Sequence, residues 1–147
     1  MADEWTLEEL QTHARYAVAV EIYTLPFYLT VVASLVDQSS PIARMVLQVA
    51  IEEMLHLELA ANLCVGLGTD PTFTAPDYSR AINLDPSDPV TGDDGPLKVG
   101  LGPLDAARLS MMLDIETPTD IEDIPTPGLG PAYPYPSIGA FYDCLLY

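Results

Sequence analysis

Basic residues are scarce in this 147-residue sequence, which has 5 Lys and Arg against 22 Asp and Glu and a formal charge of -17. Such a charge opposes the phosphate neutralisation that nucleic-acid binding requires, and anionic lipid headgroups repel it. Residues 16–36 are apolar and long enough to suggest a membrane span, but Glu21 and Pro26 inside the stretch argue against that. We therefore expect neither a nucleic-acid partner nor a membrane partner.

Cysteine is also rare. Cys64 and Cys144 are too few for a disulfide framework, and they lack the CxxC spacing of a metal or redox motif. The first ten residues contain neither the basic segment nor the apolar stretch of a secretory signal. Both observations predict a cytoplasmic location.

Two long helical patterns occupy the first half of the chain. Thr6 and Glu9 have the spacing of a capping box, and an apolar face with steps of three and four residues follows. Ser40 followed by proline is a second start signal. Because a short link joins them, helices over 6–37 and 40–67 are predicted to form an antiparallel hairpin.

The second half has a different composition, since 12 of the 14 prolines lie between Pro71 and Pro136. This predicts a long Pro-rich connection over 69–136, interrupted by one short helix over 104–116. A further helix is predicted to begin over 137–147. A connection of this length normally packs across a bundle or covers a site, and the fold class is all-α.

Each long helix has one apolar seam, by which we mean its core-directed face. The seam residues are Leu7, Leu10, Leu25, Val32 and Leu35 in the first helix, and Ile42, Val46, Val49 and Leu63 in the second. Glu21 interrupts the first seam, and Glu53 and His56 interrupt the second. Since all three lie at similar distances from the connecting link, they are predicted to face one another.

A Glu-x-x-His pair with a carboxylate from the neighbouring helix is half of the ligand set of a di-metal carboxylate centre. The sequence therefore predicts Glu21, Glu53 and His56 as metal ligands. Two irons are the expected cofactor, and Mn or Zn would accept the same ligands. The alternative is a buried, hydrogen-bonded cluster without metal, because an unpaired buried carboxylate is strongly destabilising.

Other polar residues near the seams have weaker signals. Glu52 is a candidate partner for the imidazole of His56. Tyr28 is a candidate neighbour of the metal site, although core packing explains it as well. His13 lies off the seam and is expected to face solvent. No catalytic residue can be named from the sequence.

Four stretches together resemble the ferritin-like domain of iminophenyl-pyruvate dimer synthases, enzymes of bisindole pathways such as violacein and indolocarbazole formation. The stretches are AVEIYTLPFYLTVVASLV, IEEMLHLELAANLCVGLG, GPL at 102–104 and PSIGAFYD. The resemblance implies a ferritin-like fold with a di-iron centre. For the pathway members it implies oxidative coupling of two imine molecules derived from indolepyruvate. A metal-dependent oxidative enzyme of secondary metabolism with a small-molecule substrate is one expectation.

Members of that family continue through two more long helices, whereas 1–147 is predicted to be a single, truncated ferritin-like domain. It holds half of a four-helix bundle, and two carboxylates and one histidine are half of a full site. A second copy in a homodimer, or further C-terminal helices, would complete the set. The competing expectation is a non-catalytic helical module that pairs with itself or another helical protein through its apolar seam.

Overall fold

The computed structural model describes residues 5–87, 97–116 and 135–146. These residues form four α-helices and no β-strand. One isolated β-bridge joins Ile82 to Leu97. The helices are α1 (Leu7–Ser34), α2 (Pro41–Gly66), α3 (Ala106–Glu116) and α4 (Ile138–Leu146). The all-α prediction is confirmed.

Local sequence signals define the ends of the two long helices. The Thr6 hydroxyl accepts a hydrogen bond from the Glu9 amide, and the Glu9 carboxylate accepts one from the Thr6 amide, which completes the capping box. Ser40 caps α2 in the same way, through the Ala43 amide. Beyond α2, Gly68 has a φ of 74°, a left-handed conformation that favours glycine and ends the helix.

Helices α1 and α2 pack antiparallel. Gln11, near the start of α1, donates to the carbonyl of Leu67 after the end of α2, while Thr24 contacts Glu53 near the middle of both helices. The side of α2 against α1 is built from small residues, because the apolar residues that it buries are Ala43, Ala50, Ala60 and Cys64. Small side chains let two helix backbones approach closely.

Most large apolar residues of α2 are exposed to solvent. Nine of them have exposed fractions between 39% and 69%: Ile42, Met45, Leu47, Ile51, Met54, Leu55, Leu59, Leu63 and Val65. Two of these, Ile42 and Leu63, belong to the predicted seam, and Leu7 of the first seam is 59% exposed as well. The hairpin therefore leaves much apolar surface in water, as expected for half of a bundle.

His13 corrects one expectation, because its side chain is fully buried rather than solvated. Its Nε2 lies 3.1 Å from the Tyr135 hydroxyl, and its ring stacks on Phe141. Trp5 packs edge-on against the same ring. The histidine therefore connects α1 to Phe141 of α4 and to Tyr135, which lies shortly before α4.

The connection over 69–136 contacts α1 at several described residues. The Tyr23 hydroxyl donates to the Arg80 carbonyl and accepts a hydrogen bond from the Val99 amide. Residues 88–96 and 117–134 of the connection lie outside the described residues, as does residue 147 of the predicted last helix. Helix α3 begins at Ala106, slightly later than the predicted start at 104.

Among the described residues, α1 is the one helix that is both long enough and apolar enough to cross a membrane, judged by length and composition alone. Half of its most apolar window is buried inside the protein, however, and it contains the buried polar residues His13 and Glu21. A buried core helix of a soluble protein has the same properties. Cys64 and Cys144 are free thiols, and both are buried.

Candidate metal centre

The three ligands predicted from the sequence lie together at the middle of the hairpin. Glu21 comes from α1, and Glu53 and His56 come from α2, one turn apart on the same side. One ligand atom from each residue lies within 4.8 Å of the other two. The exposed fraction of Glu21 is 2% and that of Glu53 is 7%, whereas the His56 side chain is 52% exposed.

Neutral hydroxyl groups hold both buried carboxylates. The Thr24 hydroxyl donates to Oε2 of Glu53, and the Tyr142 hydroxyl donates to Oε1 of Glu21. Thr24 lies on α1 and Tyr142 on α4, so three elements fix the orientation of two carboxyl groups. Each bond uses one oxygen and leaves the other for a different partner.

Burial dominates the electrostatics of the pair. It raises the pKa of Glu21 to about 8, and the neighbouring charge of Glu53 acts in the same direction. Burial also raises the pKa of Glu53. Without a cation, two adjacent buried carboxylates cannot both ionise at low cost.

The imidazole of His56 faces both carboxylates across a gap. Its Nδ1 lies 3.9 Å from Oε2 of Glu21 and 3.8 Å from Oε1 of Glu53. These distances are too long for hydrogen bonds. Two atoms that bind one metal ion at about 2.1 Å each lie about 3.0 to 4.2 Å apart, depending on the angle between them. The gap therefore matches the spacing of ligands around one ion.

A cavity of about 260 Å³ opens beside these groups. Its polar lining residues are Glu21, Thr24, Glu53, His56, Glu116 and Tyr142. Among the described residues that line it there is no Lys or Arg, so three carboxylates face one imidazole. A lining of this charge suits a cation.

Comparison with known proteins agrees with this architecture. The sequence matches the Ferritin-like family over residues 14–146. This chain belongs to the ferritin-like family. The crystal structure of a ferritin-like protein from Caulobacter vibrioides is similar, with 34% sequence identity and a TM-score of 0.75. The alignment covers 99% of this chain and 53% of that one, so this chain spans about half the length of its structural neighbour. No curated protein matches the sequence.

The ferritin-like donor set fits a divalent metal. Carboxylate oxygens and an imidazole nitrogen suit Fe(II), Mn(II) and Zn(II) alike, and all three donors point into one cavity. The long Glu–His distances disfavour the alternative of a hydrogen-bonded cluster in which the imidazole bonds directly to the carboxylates.

The two weaker candidates have other contacts than predicted. Glu52 is exposed and accepts a hydrogen bond from the Gln48 side chain, and no bond joins it to His56 among the described contacts. Tyr28 is buried and donates at 2.7 Å to Glu116, which lines the same cavity as the candidate ligands. Sequence reasoning missed Thr24, Tyr142 and Glu116.

A second, apolar cleft of about 290 Å³ adjoins the ferritin-like site and shares His56 and Tyr142 with it. Its other lining residues are Ala17, Leu59, Ala60, Leu63 and Leu145. A cleft with this lining suits an apolar group and offers few polar contacts, and it touches the metal site at the imidazole.

Proposed function

We propose that this chain binds divalent metal, two irons in the complete site, and takes part in oxidative chemistry of the kind carried out by iminophenyl-pyruvate dimer synthases. The observation that supports this most is the gap of 3.8 and 3.9 Å between His56 and two buried glutamates. It is too long for hydrogen bonding and matches two ligands on one ion. Mn or Zn in place of iron is the alternative occupant.

The residues of this chain have separate roles in the proposal. Glu21, Glu53 and His56 hold the metal, while the Thr24 and Tyr142 hydroxyls orient the two carboxylates. A bound iron pair would supply the redox capacity for reaction with oxygen or a peroxide. The apolar cleft beside His56 would bind a small apolar substrate and keep water from it. A cytoplasmic location is part of this proposal.

Iron loading tests the proposal. The purified chain is incubated with Fe(II) without oxygen, freed of excess metal and then exposed to air. We expect retained iron and the near-ultraviolet absorption of an oxo-bridged ferric pair. Glu53→Gln should abolish both, whereas Glu58→Gln, an exposed acid on the same helix, should leave them unchanged. If the unmodified chain retains no iron, Mn or Zn, the proposal is wrong.

A second candidate function is non-catalytic association. The exposed apolar residues of α2 favour a helical module that pairs with another copy or another helical protein. This candidate predicts that the chain associates without metal. A measurement of association in the presence of a chelator therefore distinguishes the two candidate functions. Metal binding and pairing are compatible if the second copy completes the site.

A further inference from the structure

Glu116 is the last residue of α3, in the connection between α2 and α4, and it lines the same cavity as the three candidate ligands. The inference below rests on the proposed metal-binding function. It concerns a residue outside the hairpin that supplies the other ligands.

Glu116 is held in the same way as the other two carboxylates. In each case one oxygen accepts a hydrogen bond from a neutral hydroxyl: from Tyr142 for Glu21, from Thr24 for Glu53 and from Tyr28 for Glu116. A neutral donor orients a carboxylate without neutralising it. Each of these hydrogen bonds uses one oxygen of its carboxyl group.

The position of Glu116 is fixed by its surroundings. Ile115, the preceding residue, is buried and lines the cavity itself. At the other end of α3, Arg108 pairs with Asp105 at 2.9 Å and donates to the Gly100 carbonyl. Tyr28, 1% exposed, cannot turn away from the protein. The glutamate is thus anchored although its own side chain reaches solvent.

We propose that Glu116 is a further carboxylate ligand of the metal centre, supplied by the connection instead of by the helical hairpin, and that Tyr28 is the positioning residue that aims it. The ligand is a divalent cation of the type that prefers carboxylate oxygens and imidazole. The connection then does more than cover the site, because metal binding ties α3 to α1 and α2. The competing explanation is that the Tyr28–Glu116 bond only joins α3 to α1.

Glu116→Gln separates these explanations, because the amide oxygen still accepts the Tyr28 hydrogen bond while the charge and the ligand are lost. Asp114→Asn is the matched control, since Asp114 is an exposed acid on the same helix. Co(II) is titrated into the full chain, and binding is followed by calorimetry and by the visible spectrum of the bound ion. Thermal unfolding in chelator checks that every variant is folded.

We expect Glu116→Gln to weaken Co(II) binding at least about tenfold and to change the spectrum, with unfolding in chelator unaltered. Tyr28→Phe should weaken binding by a similar factor, and Asp114→Asn by less than about twofold. Equal binding by Glu116→Gln and Asp114→Asn would overturn this inference alone. Absence of Co(II) binding by the unmodified chain would overturn the proposed function and this inference together. If Tyr28→Phe fails to fold, the Glu116→Gln result decides.

Discussion

Glu21 shows at the scale of one residue how burial and function are linked. A glutamate with an exposed fraction of 2% and a pKa of about 8 is protonated in the folded protein over a pH range in which the unfolded chain has released its proton. The folded state then binds more protons than the unfolded state. The contribution of Glu21 to the stability of the folded protein is fully present below its unfolded pKa of 4.5 and is lost as the pH rises through about 8.

We therefore predict that Glu21→Gln makes the stability of the metal-free protein less sensitive to pH between about 4.5 and 8. For the unmodified chain in chelator, the free energy of unfolding should fall between about pH 4.5 and 8. The fall should exceed that of the variant by a few kcal/mol, since each unit of pKa shift corresponds to about 1.4 kcal/mol. Buried His13, whose pKa burial lowers, adds a slope of opposite sign, but it is common to both curves.

Urea unfolding at a series of pH values measures this difference, with Glu58→Gln as an exposed control. Parallel curves for the unmodified chain and Glu21→Gln would show that Glu21 ionises normally. A variant that is much less stable at every pH would show that Glu21 has a structural role, which would favour a cluster without metal.

The sequence alone reaches part of this site. Glu21, Glu53 and His56 could be found because helical periodicity relates residues a few positions apart, and the link length aligns the two helices. Thr24 lies one turn after Glu21 on α1, so the same periodicity could have found it. Glu116 and Tyr142 could not be found. Their contacts join residues 88 and 121 positions apart, so they depend on how the connection packs. The burial of His13 by Tyr135 and Phe141 was missed for the same reason.

At the scale of elements, the close packing of α1 and α2 depends on small residues. Ala50 is fully buried and lies one turn before Glu53. We predict that Ala50→Leu, which adds three carbon atoms to a packed contact, lowers the free energy of unfolding by about 1 to 3 kcal/mol. It should also weaken metal binding, because Glu53 moves with the helix.

Ala19→Leu is the matched control, since Ala19 is an exposed helical position on α1 where the same change should have an effect within about 0.5 kcal/mol. Thermal unfolding in chelator, followed by circular dichroism, compares the two variants. Equal melting temperatures for Ala50→Leu and Ala19→Leu would contradict the packing described for the hairpin.

The ends of the helices could be predicted from the sequence more fully than the burial of their faces. Capping is local, so Thr6 and Glu9 identify the start of α1 without any tertiary information. The faces of α2 are different, because the apolar seam predicts which side seeks burial and not what covers it. Ile42 and Leu63 are therefore exposed in the single chain despite their seam positions.

At the scale of the whole molecule, the exposed apolar residues of α2 are the main unexplained surface. We propose that a second copy covers them, so that the hairpins of two chains provide four carboxylates, from Glu21 and Glu53, and two histidines. Burial at about 25 cal/mol per Å² favours association.

We predict a homodimer at micromolar concentration that strengthens with added salt, because each chain has a charge of -17 and salt screens the repulsion. Leu55→Asp, on the exposed face of α2, should weaken the dimer at least about tenfold. Leu101→Asp, at an exposed position outside the helices, should not. Sedimentation that gives a folded monomer at every salt concentration would rule out the homodimer and leave a different helical segment as the partner of this face.

Crystals of the chain soaked in Fe(II) without oxygen provide the most direct measurement, through anomalous diffraction at the iron edge. Our account predicts a peak bound by carboxylate oxygens of Glu21 and Glu53 and by Nδ1 of His56, within the gap that now separates them by 3.8 and 3.9 Å. An anomalous map without a peak there, or with iron bound only to acidic residues elsewhere, would contradict the assignment of this cluster as a metal centre.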